Sequence, residues 1–198
     1  DAPRLMANAF QQMQSGRPGA VSVEMPWDQF TATAEVTPQE PWALQPPPVP
    51  DPVKIAALAE KAKAARAPMI WVGGGAAAAG PAVQALAERL GAPVVSFRTG
   101  RGIVSDRHKL AMTVASAYAL WAETDLLIGI GTRLEVPAGR WGQATTGKTI
   151  ARIDIDPVEM RRFAPDIAIV ADAAQAAAAL TAALGAGAPA AGRAEAIA

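Results

Sequence analysis

The residue types in this chain that could do chemistry sit where apolar runs give way to glycine, arginine or aspartate. The stretch from Met69 to Gly80 reads MIWVGGGAAAAG: an apolar run, three glycines, then alanine. Such a run is how a buried parallel strand turns into a helix, and glycine there permits a tight turn and the close approach of a backbone or a ligand. Gly73, Gly74 and Gly75 could therefore offer backbone N–H groups to a pyrophosphate. The dinucleotide fingerprint is incomplete, because Ala78 takes its third glycine place. The acid that should hold ribose hydroxyls about 20 residues on is also missing, since that place reads Ser96, Phe97, Arg98. On its own, the turn reads as structural glycine before it reads as a phosphate cradle.

Other polar residues fall at junctions of the same kind. Thr99 and Gly100 lie in the polar loop FRTGRGIVSD, at the carboxyl end of a strand, where open α/β sheets take their ligands. Gly131 follows the apolar run DLLIGI and opens TRLEVPAGRWGQ, in which Arg133 and Arg140 suit phosphate or carboxylate, or are simply solvated. Asp154 and Asp156 end the strand TIARIDI; Asp156, just before Pro157, reads as a helix cap, whereas Asp154 has no such cap to make and could accept ribose hydroxyls. Asp172 caps the alanine-rich helix that opens at Ala173.

Composition removes several other chemistries. Cysteine is absent, which excludes disulfides, thiol nucleophiles and thiolate metal sites. The single histidine, His108, lies in the charged loop SDRHK and reads as a solvated residue with no second histidine to share a metal. Acidic and basic residues balance at 18 each and form no basic stripe, so nucleic acid is not the expected partner. With 51% apolar and 18% charged residues, no run long enough to span a membrane and no leader segment, the expected setting is a soluble cytoplasmic protein.

The elements that must position these residues follow from periodicity. Pro3 to Gln14 carries apolar residues on one helical face, and Val21 to Met25 alternates as a strand does, up to Pro26. Residues 31–50 hold six prolines and read as an extended connector. Asp51 and Pro52 then start a helix that buries Ile55, Leu58, Ala59 and Ala62. Strands are expected at Met69, Pro93–Ser96, Leu110–Met112, Asp125–Ile130, Thr149–Ile155 and Ile167–Val170, with helices over 81–90, 115–122 and 173–184. Alternating strands and helices imply a parallel sheet with right-handed crossovers.

Several of these segments, in this order and at this spacing, resemble the thiamine diphosphate-dependent enzymes of the acetolactate synthase and benzoylformate decarboxylase type. SGRPGAVSVEMPWD is similar to the close of that family's pyrimidine-binding domain, with Ala20 where a proline is usual. The phrase IDIDP with Glu159 two residues later, then Ile169 to Ala173 ahead of an alanine-rich helix, resembles the close of its central domain. The resemblance implies an α/β fold: a Rossmann-like, doubly wound parallel sheet of six strands, order 3-2-1-4-5-6, in three layers. It implies residues 1–30 as the end of the pyrimidine domain, 31–50 as linker, 51–184 as central domain and 185–198 as a flexible tail or linker.

For the parent enzyme the resemblance implies thiamine diphosphate and magnesium, ylide attack on a 2-oxo acid, and a lyase or transferase reaction in a homo-oligomer. The glutamate that activates the aminopyrimidine and the GDG segment that binds magnesium and diphosphate do not occur in this sequence, so the chain alone is expected to be inactive. The central domain is expected to be either empty or to hold FAD or ADP. The matching positions are Gly73, Gly74, Gly75, Thr99, Gly100, Gly131, Arg133, Asp154, Ile155, Asp172 and Ala173. RLEVP stands where flavin-binding relatives show RFDDR, and TVASAY stands where they show an HG pair, which weighs against flavin. The alternative is a free-standing dinucleotide-binding protein using the same glycine turn and Asp154.

Overall fold

The structure, a computed structural model, describes residues 1–141 and 145–186. Two compact units divide it, Asp1–Pro47 and a larger one from Pro48 onward. In the first, helix α1 spans Ala2–Gln14, and Pro3 sits in its first turn, where the missing N–H costs nothing. Gln11 donates to the Ala43 carbonyl at 2.6 Å, and Ser15 Oγ accepts the Gln45 N–H at 3.0 Å, tying the proline-rich stretch to that helix. Val21 to Met25 is not the strand its alternation suggests; it joins no sheet, with Val21, Val23 and Met25 exposed. A strand needs a neighbour to take its N–H and C=O groups, and this unit contains none.

The second unit is built on six parallel strands in the order β3-β2-β1-β4-β5-β6, the order expected. They are β1 Pro68–Val72, β2 Val94–Ser96, β3 Ala111–Met112, β4 Leu126–Ile130, β5 Thr149–Asp154 and β6 Ile167–Val170. The helices are α2 Pro52–Ala64, α3 Gly80–Leu90, α4 Val114–Ala119, α5 Glu159–Arg162 and α6 Ala173–Leu184. Pleating sends Ile70, Val72, Ile128, Ile130 and Ile153 into one core with α2, α3 and α6. Met69, Trp71, Val95, Leu127 and Ile150 face a second core with α4 and the stretch after β4. Both faces are covered, which is why these strands read as continuous apolar runs.

The end signals behave as their chemistry requires. Asp51 Oδ1 accepts the Val53 N–H and Asp172 Oδ1 the Gln175 N–H, both at 2.9 Å, satisfying donors that a first helical turn leaves open. Gly91 ends α3 in the left-handed conformation, φ 60°. The alanines of α6 let it lie close against α2 and α3, with Ala176 and Ala177 fully buried. Of the expected tail, residues from 187 on lie outside the described residues. Among the described residues no helix is long and apolar enough to cross a membrane.

His108 is not a solvated loop residue. Its Nε2 meets Glu88 Oε1 on α3 at 3.0 Å, and its Nδ1 accepts the Leu110 N–H at 3.3 Å, so Nε2 carries the proton in the neutral ring. This pair fastens the loop between β2 and β3 to a helix. Hydrogen bonds from Gln84 and His108 hold the Glu88 carboxyl below its ordinary value. A carboxyl depressed in the folded state adds stability above its unfolded value, and that contribution disappears as pH falls through the folded one. Urea denaturation at pH 6, 5, 4 and 3 should therefore show the wild type losing stability more steeply than Glu88→Gln below about pH 4.3. Parallel curves would mean the pair contributes nothing.

Candidate functional site

Neighbouring strands β1 and β4 carry the chain in opposite directions across the sheet, one onward to α3 and β2, the other to β5. In open α/β sheets the crevice outside the carboxyl ends at such a reversal is where ligands bind. Here backbone meets backbone at that point. The Gly73 N–H donates to the Ile130 carbonyl and the Gly75 N–H to the Gly131 carbonyl, both at 3.1 Å, and the Gly131 N–H donates to Ile153 at 2.8 Å. A Cβ on Gly73 would lie 2.4 Å from the Gly131 carbonyl oxygen. One on Gly131, whose φ is +57°, would lie 2.4 Å from the Gly75 carbonyl carbon. Only glycine on both sides allows the two turns to touch.

The loop after β2 closes on the same point. A Cβ on Gly100 would be 2.4 Å from the Val72 carbonyl oxygen, and one on Gly74 would be 3.0 Å from Thr99 Oγ1. The structure thus brings together Gly73, Gly74, Gly75, Thr99, Gly100 and Gly131. From there Gly74–Ala79 makes a short 3₁₀ stretch that leads into α3.

The acids gather at the ends of β5 and β6, where their oxygens serve the backbone. Asp154 Oδ1 accepts the Asp156 N–H at 3.0 Å, and the Asp154 carbonyl accepts the Ala171 N–H at 3.1 Å. Asp154 therefore has the turn-closing role that its sequence position did not suggest. Asp156 Oδ1 accepts the Val158 N–H at 2.8 Å, and α5 opens a residue later, at Glu159. Ile155 follows the last residue of β5, and Ala173 opens α6 behind the Asp172 cap.

Arg133 is committed to an ion pair. Its Nε lies 3.2 Å from each oxygen of Glu159, and its Nη2 donates to Oε1 at 3.0 Å. Arg162 Nε donates to Oε2 at 3.0 Å, so the buried carboxylate is held from two sides. Beneath it lies Arg152, fully buried in the middle of β5. Its Nη1 donates to the carbonyls of Glu159 at 2.7 Å and Phe163 at 3.2 Å, and its Nη2 to that of Thr132 at 3.1 Å. Burial pushes the Arg152 guanidinium below its ordinary value, against the pull of Asp154 and Glu159. One side chain thereby ties the loop after β4 to α5.

That loop is not irregular throughout, as expected, but holds a π-helical turn over Val136–Arg140. Just before it, Leu134 has φ +54° and is buried, in contact with the place a Cβ on Gly129 would occupy. A left-handed leucine costs about 1–2 kcal/mol, so packing around it must hold it there. Trp141 closes the segment, edge-on to Trp71, Tyr118 and Trp121 at centroid distances of 5.2–5.4 Å. Sequence reading missed Arg152 and Glu159 as partners in a network. The available signal was a charged residue amid the apolar positions of a strand covered on both faces, which demands partners nearby.

Among the described residues no group of three or more histidine, aspartate or glutamate side chains is placed to hold a metal ion. Residues 55–180 match the family model of the thiamine pyrophosphate enzyme central domain. The chain is 32% identical over 193 residues to the acetolactate synthase of Arthrospira platensis, with 88% of this chain and 33% of that protein covered. It is 35% identical over 186 residues to the glyoxylate carboligase of Escherichia coli O157:H7, covering 86% and 31%. Its fold superposes on the benzoylformate decarboxylase of Polynucleobacter necessarius with a TM-score of 0.75 at 22% identity, over 93% of this chain and 36% of that one. The chain thus spans about a third of the length of the curated relatives it matches. By sequence and by fold, it belongs to the thiamine pyrophosphate enzymes of the acetolactate synthase and decarboxylase family, as their central domain.

Proposed function

We propose that this domain works as a scaffold inside a longer enzyme that decarboxylates or carboligates 2-oxo acids, holding the parts that bind thiamine diphosphate and magnesium while contributing no catalytic group itself. The observation that carries this reading is the joint at the reversal point. The N–H groups of Gly73 and Gly75, which a cradle would turn toward phosphate, are spent on the carbonyls of Ile130 and Gly131. Asp154 and Asp172 are likewise engaged with backbone N–H groups. Similarity to a synthase and a carboligase supports the reaction class, and the shortfall in length against those relatives supports catalytic machinery outside this domain. On this reading residues 1–30 close a pyrimidine-binding domain, 31–50 connect it to the central domain at 51–184, and 185–198 lead onward. The parent is a cytoplasmic homo-oligomer.

A nucleotide, FAD or ADP, at the same edge is the second reading. The convergence of Gly74, Thr99 and Gly100 on one point favours it. The two readings separate by calorimetric titration of the chain with FAD, ADP and NAD, repeated with Asp154→Ala. The scaffold reading expects no heat of binding, and no turnover of 2-oxo acids when thiamine diphosphate and magnesium are added. Tight binding that Asp154→Ala abolishes would overturn it in favour of a nucleotide site, and measurable turnover would show that catalysis does not lie elsewhere.

If the glycines serve the joint, substitution there should cost the fold. Gly131→Ala, with a forced φ and a clash on the Gly75 backbone, should lose about 3 kcal/mol or more in urea denaturation. Gly102→Ala, at φ +83° but in open space, should lose only about 1 kcal/mol. Equal losses would remove the joint from the account.

A further inference from the structure

The stretch from Thr132 to Trp141 folds back from the end of β4 over the face of the sheet that carries Trp71 and Leu127. Leu134, Val136 and Trp141 all join that core, and Leu134 sits in the notch that Gly129 leaves. The stretch is ordinary neither in backbone nor in attachment. It contains a buried left-handed leucine and a π-helical turn. At its start it is gripped by the Arg133–Glu159 fork and by Arg152 on the Thr132 carbonyl. At its far end Trp141 packs edge-on against three rings.

We propose that residues 132–141 form a strap that opens as a unit from the tryptophan-bearing face of the sheet, with Glu159 as its latch. The strain at Leu134 is sustained by its packing beside Gly129 together with the anchors at the segment's two ends. Once Arg133 is released, Leu134 relaxes to ordinary backbone and leaves the Gly129 notch. The π-helical turn loses its seat, and Trp141 separates from Trp71. The sheet beneath keeps its own ladder, because β4 pairs with β1 and β5 independently of the strap. A ligand that took the Arg133 fork would have to break the same latch, so ligand capture at Arg133 and closure of the strap exclude each other.

The test is amide hydrogen exchange, followed by mass spectrometry, on the full chain and two variants. Glu159→Gln removes the latch charge. Arg133→Gln removes its partner while leaving the buried carboxylate paired with Arg162, so this second variant keeps its fold even where the first does not. Exchange in 132–141 should rise about tenfold or more in Arg133→Gln, and in Glu159→Gln if it folds, while β1 and β4 keep their protection. The near-ultraviolet circular dichroism of the tryptophans should fall in parallel. Unchanged exchange in 132–141 of Arg133→Gln, or a rise spread evenly through β1, β4 and β5, would overturn the proposal, since the segment would then be ordinary core.

Discussion

Everything in the larger unit depends on two backbones being able to touch where strand order reverses. A parallel sheet wound in both directions from its middle opens a crevice at that point, and in nucleotide-binding versions of the fold phosphate fills it. Here the turn after β1 and the turn after β4 are linked at that point by hydrogen bonds from Gly73 to Ile130 and from Gly75 to Gly131. The contact extends the β1–β4 ladder past its last apolar pair, Val72 and Ile130. It also fixes where α3 starts and where the chain sets out toward α5. Any side chain at these glycines would push the two halves of the sheet apart, so the joint constrains the halves to move as one.

The charged network is a constraint of a different kind. A buried ion pair is poor insurance for stability, because desolvation consumes most of the Coulomb gain, and apolar replacements of matched shape often do as well. What Arg152 and Glu159 provide is geometry. The Arg152 guanidinium holds three carbonyls from two segments, and the Glu159 carboxylate holds two arginine forks from both sides. A leucine core could fill that volume, but it could not dictate which backbone oxygens gather around one guanidinium. Those bonds, with the packing of Leu134 beside Gly129, keep that leucine in its left-handed conformation.

The sheet was legible in the sequence because its central strands β1 and β4 are covered on both faces and so read as apolar runs, and because Asp51, Asp172 and Gly91 mark helix ends by local chemistry alone. Even the strand order could be stated, through resemblance rather than periodicity. Val21 to Met25 misled because alternation reports a half-buried surface and not a pairing partner, which is a property of the rest of the unit. His108 misled because the hydrophilic company of SDRHK says nothing about Glu88, twenty residues earlier and one helix away. The turn-closing bond of Asp154 could not be read, because an acid at a strand end looks the same in sequence whether or not it accepts the N–H two residues on. The local candidates could be named, but partners such as Glu88 for His108 and Glu159 for Arg133 could not, since those pairs are set by tertiary register across 20 and 26 residues.

That difference bears on how the glycine turn should be understood. A glycine-rich turn at a strand end is required by two distinct geometries, one in which phosphate approaches the backbone and one in which another backbone does, and the composition of the turn cannot separate them. The second partner decides. At Gly73 and Gly75 the partner is Gly131, itself a glycine in a left-handed conformation, and a paired glycine is what a backbone contact needs and a phosphate contact does not. The incomplete fingerprint, with Ala78 in its third place and no acid after β2, accompanies a turn whose glycines meet a second backbone. The observed contacts lock the two turns together, and the neighbouring acids Asp154 and Asp172 each accept a backbone N–H.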